Sequence, residues 1–154
     1  MILLLGASGY VGTAFRRLLQ SRGLAWQSVS RADSNGYDVD ALVRRIRASG
    51  ASFLINAAGY TGKPNVDACD RHKADCLDAN AVLPGRIRQA CERAGIPWGH
   101  VSSGCIFSGR RADGGGFRED DPPNFCFRDG EGSFYSGTKA LGEEILAGAS
   151  CYIW

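Results

Sequence analysis

The sequence lacks most features that fix a structure by covalent or ionic means. It has no C-x-x-C pair: Cys69, Cys76, Cys91, Cys105, Cys126 and Cys151 stand singly. A disulfide framework is unusual for a chain of 154 residues, so reduced thiols in a cytoplasm are expected. The only histidines, His72 and His100, lie far apart, and no metal site is expected. Neither sign of charge dominates. Lys+Arg 18 against Asp+Glu 16 leave +2, too balanced to argue for nucleic acid or a membrane surface as partner. No apolar run reaches the roughly 18 residues of a membrane span. Met1–Leu5 has neither the positive start nor the longer apolar region of a signal peptide.

What the chain does have is glycine: 21 residues, about twice the usual frequency. The glycines follow no triplet period and sit among apolar runs, which excludes collagen-like and disordered classes. Hydrophobic residues at 44% are enough for a core.

The apolar pattern alternates between two periods. Short apolar runs predict strands at Ile2–Leu5, Ala25–Ser30, Ser52–Ala57 and Trp98–Ser102, the last extending towards Cys105–Phe107, and a beginning strand at Cys151–Trp154. Helical periodicity predicts helices at Tyr10–Ser21, Val39–Ala48, a long region from Val66 to Ala94, and Ser133–Ala147. Residues 108–132, with Gly114–Gly116 and Pro122-Pro123, read as a long functional loop inserted in a single domain, 1–154. Strand–helix alternation predicts an α/β fold: a doubly wound parallel sheet of Rossmann type with helices on both faces. Ligands of such sheets sit at the carboxyl ends of the strands, near the switch point.

Gly6-Ala7-Ser8-Gly9-Tyr10-Val11-Gly12 joins the first strand to the first helix. Glycine allows the tight turn and a close approach of backbone to ligand, and the free N–H groups of the helix start favour an anion. At the first junction of a β-α-β unit this points to a dinucleotide pyrophosphate. The second strand ends in Arg31, which suits the 2′-phosphate of NADP; Asp33 nearby leaves NADH open beside NADPH.

Tyr135 and Lys139 lie four residues apart, on one helical face. A neighbouring cation is expected to lower a tyrosine pKa and fit the phenol for proton exchange with a carbonyl oxygen. Ser102-Ser103 ends the fourth strand, on the side where the dinucleotide is expected, and a serine there can bond the same oxygen.

With these motifs in place, the chain resembles the extended short-chain dehydrogenase/reductases that act on nucleotide sugars. Gly6, Gly9 and Gly12, then Asn56-Ala57-Ala58-Gly59, then Tyr135 and Lys139 carry the likeness. The resemblance implies that Asn56–Gly59 lies beside the cofactor, that Asp38 contacts the adenine, and that Lys139 bonds the nicotinamide ribose. Closer still, Asn56–Asp67, Gly104-Cys105-Ile106-Phe107, Gly116–Asp121, Pro123-Asn124-Phe125 and Ser133–Ser136 look like the dTDP-4-dehydrorhamnose reductases and the bifunctional 3,5-epimerase/4-reductases of rhamnose synthesis. Gly104, where plain reductases carry Asp, favours the bifunctional side. The implied activity is NADPH-dependent reduction of a 4-keto-6-deoxy sugar nucleotide, with Ser103, Tyr135 and Lys139 catalytic. In related epimerases a cysteine two residues after the serine moves protons, a role that Cys105 matches; a small packed strand-end residue is the alternative. These relatives run on well past this length. The chain is therefore expected to be the cofactor-binding half, lacking C-terminal strands and the substrate domain, with a homodimer covering its apolar edge. A catalytically idle NADP-binding regulatory module is the competing reading.

Overall fold

The computed structural model describes residues 1–128 and 132–154. Residues 129–131 of the expected 108–132 loop lie outside the described residues.

The described strands are β1 (Ile2–Leu5), β2 (Trp26–Val29), β3 (Phe53–Asn56), β4 (Trp98–His100) and β5 (Cys151–Ile153). They form one parallel sheet in the order β2-β1-β3-β4-β5. The inner strands are apolar on both sides because both sides are covered. Leu3, Leu5 and Leu54 point into the larger core, against Leu42, Val43 and Ile46 of α2 (Val39–Ser49) and Leu83 and Ile87 of α4 (Leu83–Ala94). Leu146 of α5 (Phe134–Leu146) closes the same cluster. Leu4 and Ile55 point the other way, against Phe15 and Leu19 of α1 (Tyr10–Ser21). This is the doubly wound architecture, and direction of travel reverses between β1 and β3.

On the α1 side, aromatic residues take the place of further helices among the described residues. Trp154 lies over Gly99, where a Cβ would overlap its ring, and it packs on Phe15 at 5.6 Å. Tyr152 stacks on Trp154 and meets Phe53. No helix among the described residues is long and apolar enough to cross a membrane.

The structure corrects two boundaries. The expected helix from Val66 to Ala94 is a 3-10 turn (Val66–Asp70), α3 (Lys73–Leu77), a π-helical turn (Asp78–Val82) and α4. Pro84 explains the break. It has no N–H to give the carbonyl of Asn80, and its ring would strike that carbonyl; a π turn widens the helix and absorbs both. The freed Asn80 carbonyl faces Gly142 of α5, so closely that a Cβ there would overlap it. The strand expected to run through Phe107 stops at His100. Ser103 instead accepts from the Cys105 amide at 3.2 Å and caps a 3-10 turn at Gly104–Ile106.

Candidate active site

Two adjoining clefts of about 430 and 260 Å³ open at the carboxyl ends of β1, β2 and β3. Gly6, Ser8, Arg31 and Tyr37 line both; Gly9, Ala57, Ala58 and Gly59 line the smaller. Gly6 has a φ of +73°, and a Cβ there would come within 2.5 Å of the Ala57 backbone. A Cβ on Gly12 would overlap the Gly6 carbonyl. Glycine is thus required for the turn to close against β3. Gly9 caps α1 without any side-chain hydrogen bond, which leaves the first-turn N–H groups for a ligand. This cradle fits a dinucleotide pyrophosphate.

The other expected cofactor residues divide. Tyr10 is 96% exposed and Val11 is exposed; neither lines a cleft. Asn56 is fully buried. Its Oδ1 accepts from the Ala58 amide at 3.1 Å and its Nδ2 lies 2.9 Å from His100 Nδ1. It shapes the Ala57–Gly59 backbone and does not itself line the cleft. The Asp38 carboxylate accepts from the Ala41 amide at 3.0 Å as the N-cap of α2 and lines neither cleft. Its neighbour Tyr37 does line them, at φ +65° with the Arg31 guanidinium 5.9 Å over its ring. Sequence reasoning passed over Tyr37; its place after Asn35-Gly36, a turn signal, was the available clue.

At the end of β2, Arg31 faces the cleft and pairs with Asp78 at 3.1 Å. Both partners are exposed enough to exchange this contact for another anion. Asp33 accepts from the Ser30 amide and hydroxyl, and those bonds hold its carboxyl below the usual range. It lines neither cleft.

α5 carries the second group of residues. Its N-cap, Ser133, accepts from the Ser136 amide at 3.1 Å and starts the helix so that Tyr135 and Lys139 are buried on the side facing the β4 exit. Ser103 and Cys105 both lie close enough to the Tyr135 phenol to act on its ionisation. Burial pushes the Tyr135 phenol up, the nearby Ser103 hydroxyl pulls the other way, and burial wins. The expected lowering by Lys139 is not found. The lysine ammonium instead donates to the Val101 carbonyl at 2.8 Å. Tyr135 therefore stays protonated at neutral pH, the form that can donate to a carbonyl oxygen. Cys105 is exposed, one turn from Ser103. Beside this group, Ser102, Ser103, Phe107, Glu119, Glu143 and Trp154 help line a larger cavity of about 610 Å³.

Sequence reading missed one buried link. Asn80, in the π turn, accepts from the Tyr60 amide at 2.8 Å and donates to the Tyr60 carbonyl at 2.9 Å and Thr138 Oγ1 at 3.2 Å. Thr138 in turn donates to the Tyr135 carbonyl at 2.7 Å. The loop after β3 is thereby tied to the turn of α5 that carries Tyr135. An asparagine four residues before Pro84 was the only sequence clue.

A family model described as the RmlD substrate binding domain matches residues 1–153. The chain is 34% identical over 148 residues to a bifunctional dTDP-4-dehydrorhamnose 3,5-epimerase/dTDP-4-dehydrorhamnose reductase of Arabidopsis thaliana, covering 94% of this chain and 46% of that one. It is 33% identical over 149 residues to a trifunctional UDP-glucose 4,6-dehydratase/UDP-4-keto-6-deoxy-D-glucose 3,5-epimerase/UDP-4-keto-L-rhamnose-reductase of the same plant, covering 21% of that protein. Among solved structures, the L780 UDP-rhamnose synthase of Acanthamoeba polyphaga mimivirus superposes with a TM-score of 0.80 at 27% identity, over 94% of this chain and 50% of that one. A Bacillus anthracis dTDP-4-dehydrorhamnose reductase in complex with NADP, at 17% identity, shares the fold with a TM-score of 0.79. The chain spans about half or less of the length of these relatives.

Proposed function

Since the chain belongs to the RmlD substrate binding domain family, we propose that residues 1–154 are an NAD(P)-binding Rossmann domain that binds NADPH in preference to NADH. The domain takes part in reducing a 4-keto-6-deoxy sugar nucleotide in rhamnose synthesis. The observation that carries this reading is the seating of α5, with Tyr135 and Lys139, against the β4 exit that bears Ser103, together with the glycine cradle.

Gly6, Ser8, Gly9 and Gly12 would hold the pyrophosphate through backbone amides. Tyr37 would flank the adenine side, and Ala57–Gly59 would back the cofactor from β3. Lys139 would bond the nicotinamide ribose. When bound, the reduced nicotinamide supplies the hydride for the substrate carbonyl carbon. The residues of this chain supply the rest: Ser103 orients the carbonyl oxygen, and Tyr135 gives it the proton that completes the alcohol. Burial keeps that proton on Tyr135 until the oxygen becomes basic. Arg31 supports NADPH over NADH because its guanidinium faces the cleft, whereas the Asp33 carboxylate is held by Ser30. Cys105 is read as the base for the acidic protons beside the 4-keto group, which adds 3,5-epimerisation to reduction.

NADPH oxidation by the purified chain, supplied with a 4-keto-6-deoxy sugar nucleotide, tests the proposal. Tyr135→Phe should abolish turnover and spare NADPH binding; unchanged turnover refutes the acid role. A second reading is an idle NADP-binding regulatory module. NADPH binding without turnover would select it. We also read the exposed Tyr152, Ile153 and Trp154 of the edge strand as a homodimer contact in a cytoplasmic protein. A monomer in sedimentation velocity at micromolar concentration would refute that contact.

A further inference from the structure

Three consecutive residues leaving β4 each meet one face of α5. The Val101 carbonyl accepts from Lys139. The Ser102 hydroxyl donates to Glu143 Oε1. Ser103 lies close enough to the Tyr135 phenol to favour its ionised form. Tyr135, Lys139 and Glu143 follow one another at four-residue intervals, so they form a single stripe along the helix. Two members of that stripe already belong to the proposed chemistry; the third does not.

We propose that Glu143 is a positioning residue: through Ser102 it latches the β4 exit to α5, keeping Lys139 on Val101 and Ser103 beside Tyr135. The proposal rests on the Ser103–Tyr135–Lys139 reading of the site.

The physical need is visible around Lys139. Its residue is only 4% exposed, and burial disfavours the charged form. Burial pushes the amine down and Glu143 pushes it up, leaving it at about 8. The other groups facing it supply little compensation. His100 on β4 is itself buried and neutral, lowered to about 3. Cys76 on α3 adds a smaller upward push and is engaged with Thr138 and Asn80. Tyr135, on its own helix, is protonated. Glu143 is then the carboxylate that matches the lysine, reaching it through its field while its oxygen bonds Ser102.

The chain has only three lysines, Lys63, Lys73 and Lys139, so their side-chain carbons can be titrated individually by NMR in lysine-labelled full-length protein. Replacing Lys63 and Lys73 by Arg assigns the Lys139 signal. E143Q keeps an acceptor for Ser102 and removes the charge. It should lower the Lys139 midpoint by about one unit, a tenfold loss of proton affinity. E143A also breaks the latch and should speed amide exchange at Ser102 and Ser103, which E143Q should leave near wild type. S102A breaks the same bond from the other side and must speed that exchange too, so an E143A chain that does not fold leaves the test intact. An unmoved Lys139 midpoint in E143Q, or unchanged exchange in S102A, overturns the proposal. Failure of the wild-type chain to bind NADPH would sink the proposed function instead, because the titration and exchange comparisons need no ligand.

Discussion

Replacing Asn80 by alanine should cost more than any other single polar substitution outside the glycine cradle. The side chain is 1% exposed and satisfies both backbone groups of Tyr60. Alanine leaves that N–H and that carbonyl without their partner and removes a donor from Thr138. Each unsatisfied backbone group costs about 1–3 kcal/mol. Tyr60 is only half-buried, so water recovers part of this, and the loss should come to about 3 kcal/mol. For a chain of this size that corresponds to about 6–12 °C in Tm. Urea unfolding followed by far-UV circular dichroism measures the free energy directly, and an unchanged m-value confirms that the native state has kept its compactness. Asn80→Asp is the useful partner. It retains the acceptor for the Tyr60 amide and loses the donor, so it should fall between wild type and alanine near neutral pH. A loss below about 0.5 kcal/mol for Asn80→Ala, the level of an ordinary surface substitution, would refute the claim that this residue ties the loop after β3 to α5.

The remaining predictions concern cofactor, pH and epimerisation. Arg31→Ala should weaken NADPH binding about tenfold or more, the value of a charged hydrogen bond to phosphate, and leave NADH binding unchanged; equal losses for both in a fluorescence titration would remove the 2′-phosphate role. His100 is buried and lowered to about 3 from 6.5. Between those values the unfolded chain takes up a proton that the folded chain refuses. Stability is therefore full above about 6.5 and falls as pH drops, with a slope approaching 1.4 kcal/mol per pH unit, about the value for a single proton. Urea midpoints at pH 7, 6 and 5 should show a shallower fall in His100→Gln than in wild type, and parallel falls would contradict this. Cys105→Ser should spare reduction of a substrate already epimerised and abolish proton exchange beside the keto group in deuterated water; retained exchange would dismiss the thiol as the base.

The sequence predicted what local chemistry controls. The strands β1, β2, β3 and β5 and the helices α1, α2 and α5 follow from apolar spacing, and the structure moves their ends by at most one residue. The Gly6–Gly12 turn was legible because glycine at those positions has few explanations other than tight backbone. What escaped depends on contacts made across the fold. Val66–Ala94 has continuous helical periodicity, yet Pro84 converts its middle to a π turn, and the payoff is Asn80 reaching Tyr60, 20 residues away in sequence. The strand beyond His100 looked extended because Cys105-Ile106-Phe107 is apolar; a single Ser103 cap turns it instead. Asp38 carried the expected charge, but its carboxylate caps α2, and the side chain next to it meets the cleft. The Lys139 effect on Tyr135 failed for a related reason: four-residue spacing fixes the face but not where an ammonium points, and Val101 draws it away.

Gly99 and the aromatic ring seated on it have an optical consequence. The three tryptophans occupy three different kinds of environment. Trp98 is sealed in the main core, Trp26 lines the larger of the two clefts at β1 and β2, and Trp154 borders the cavity beside Ser103. Variants keeping one tryptophan at a time would turn the chain into its own set of fluorophores. Trp98 would follow unfolding, Trp26 would follow occupation of the cleft at β2, and Trp154 would follow entry of a molecule into the cavity beside Ser103. Binding at the two mouths of the sheet could then be timed separately, without labels, in the same protein.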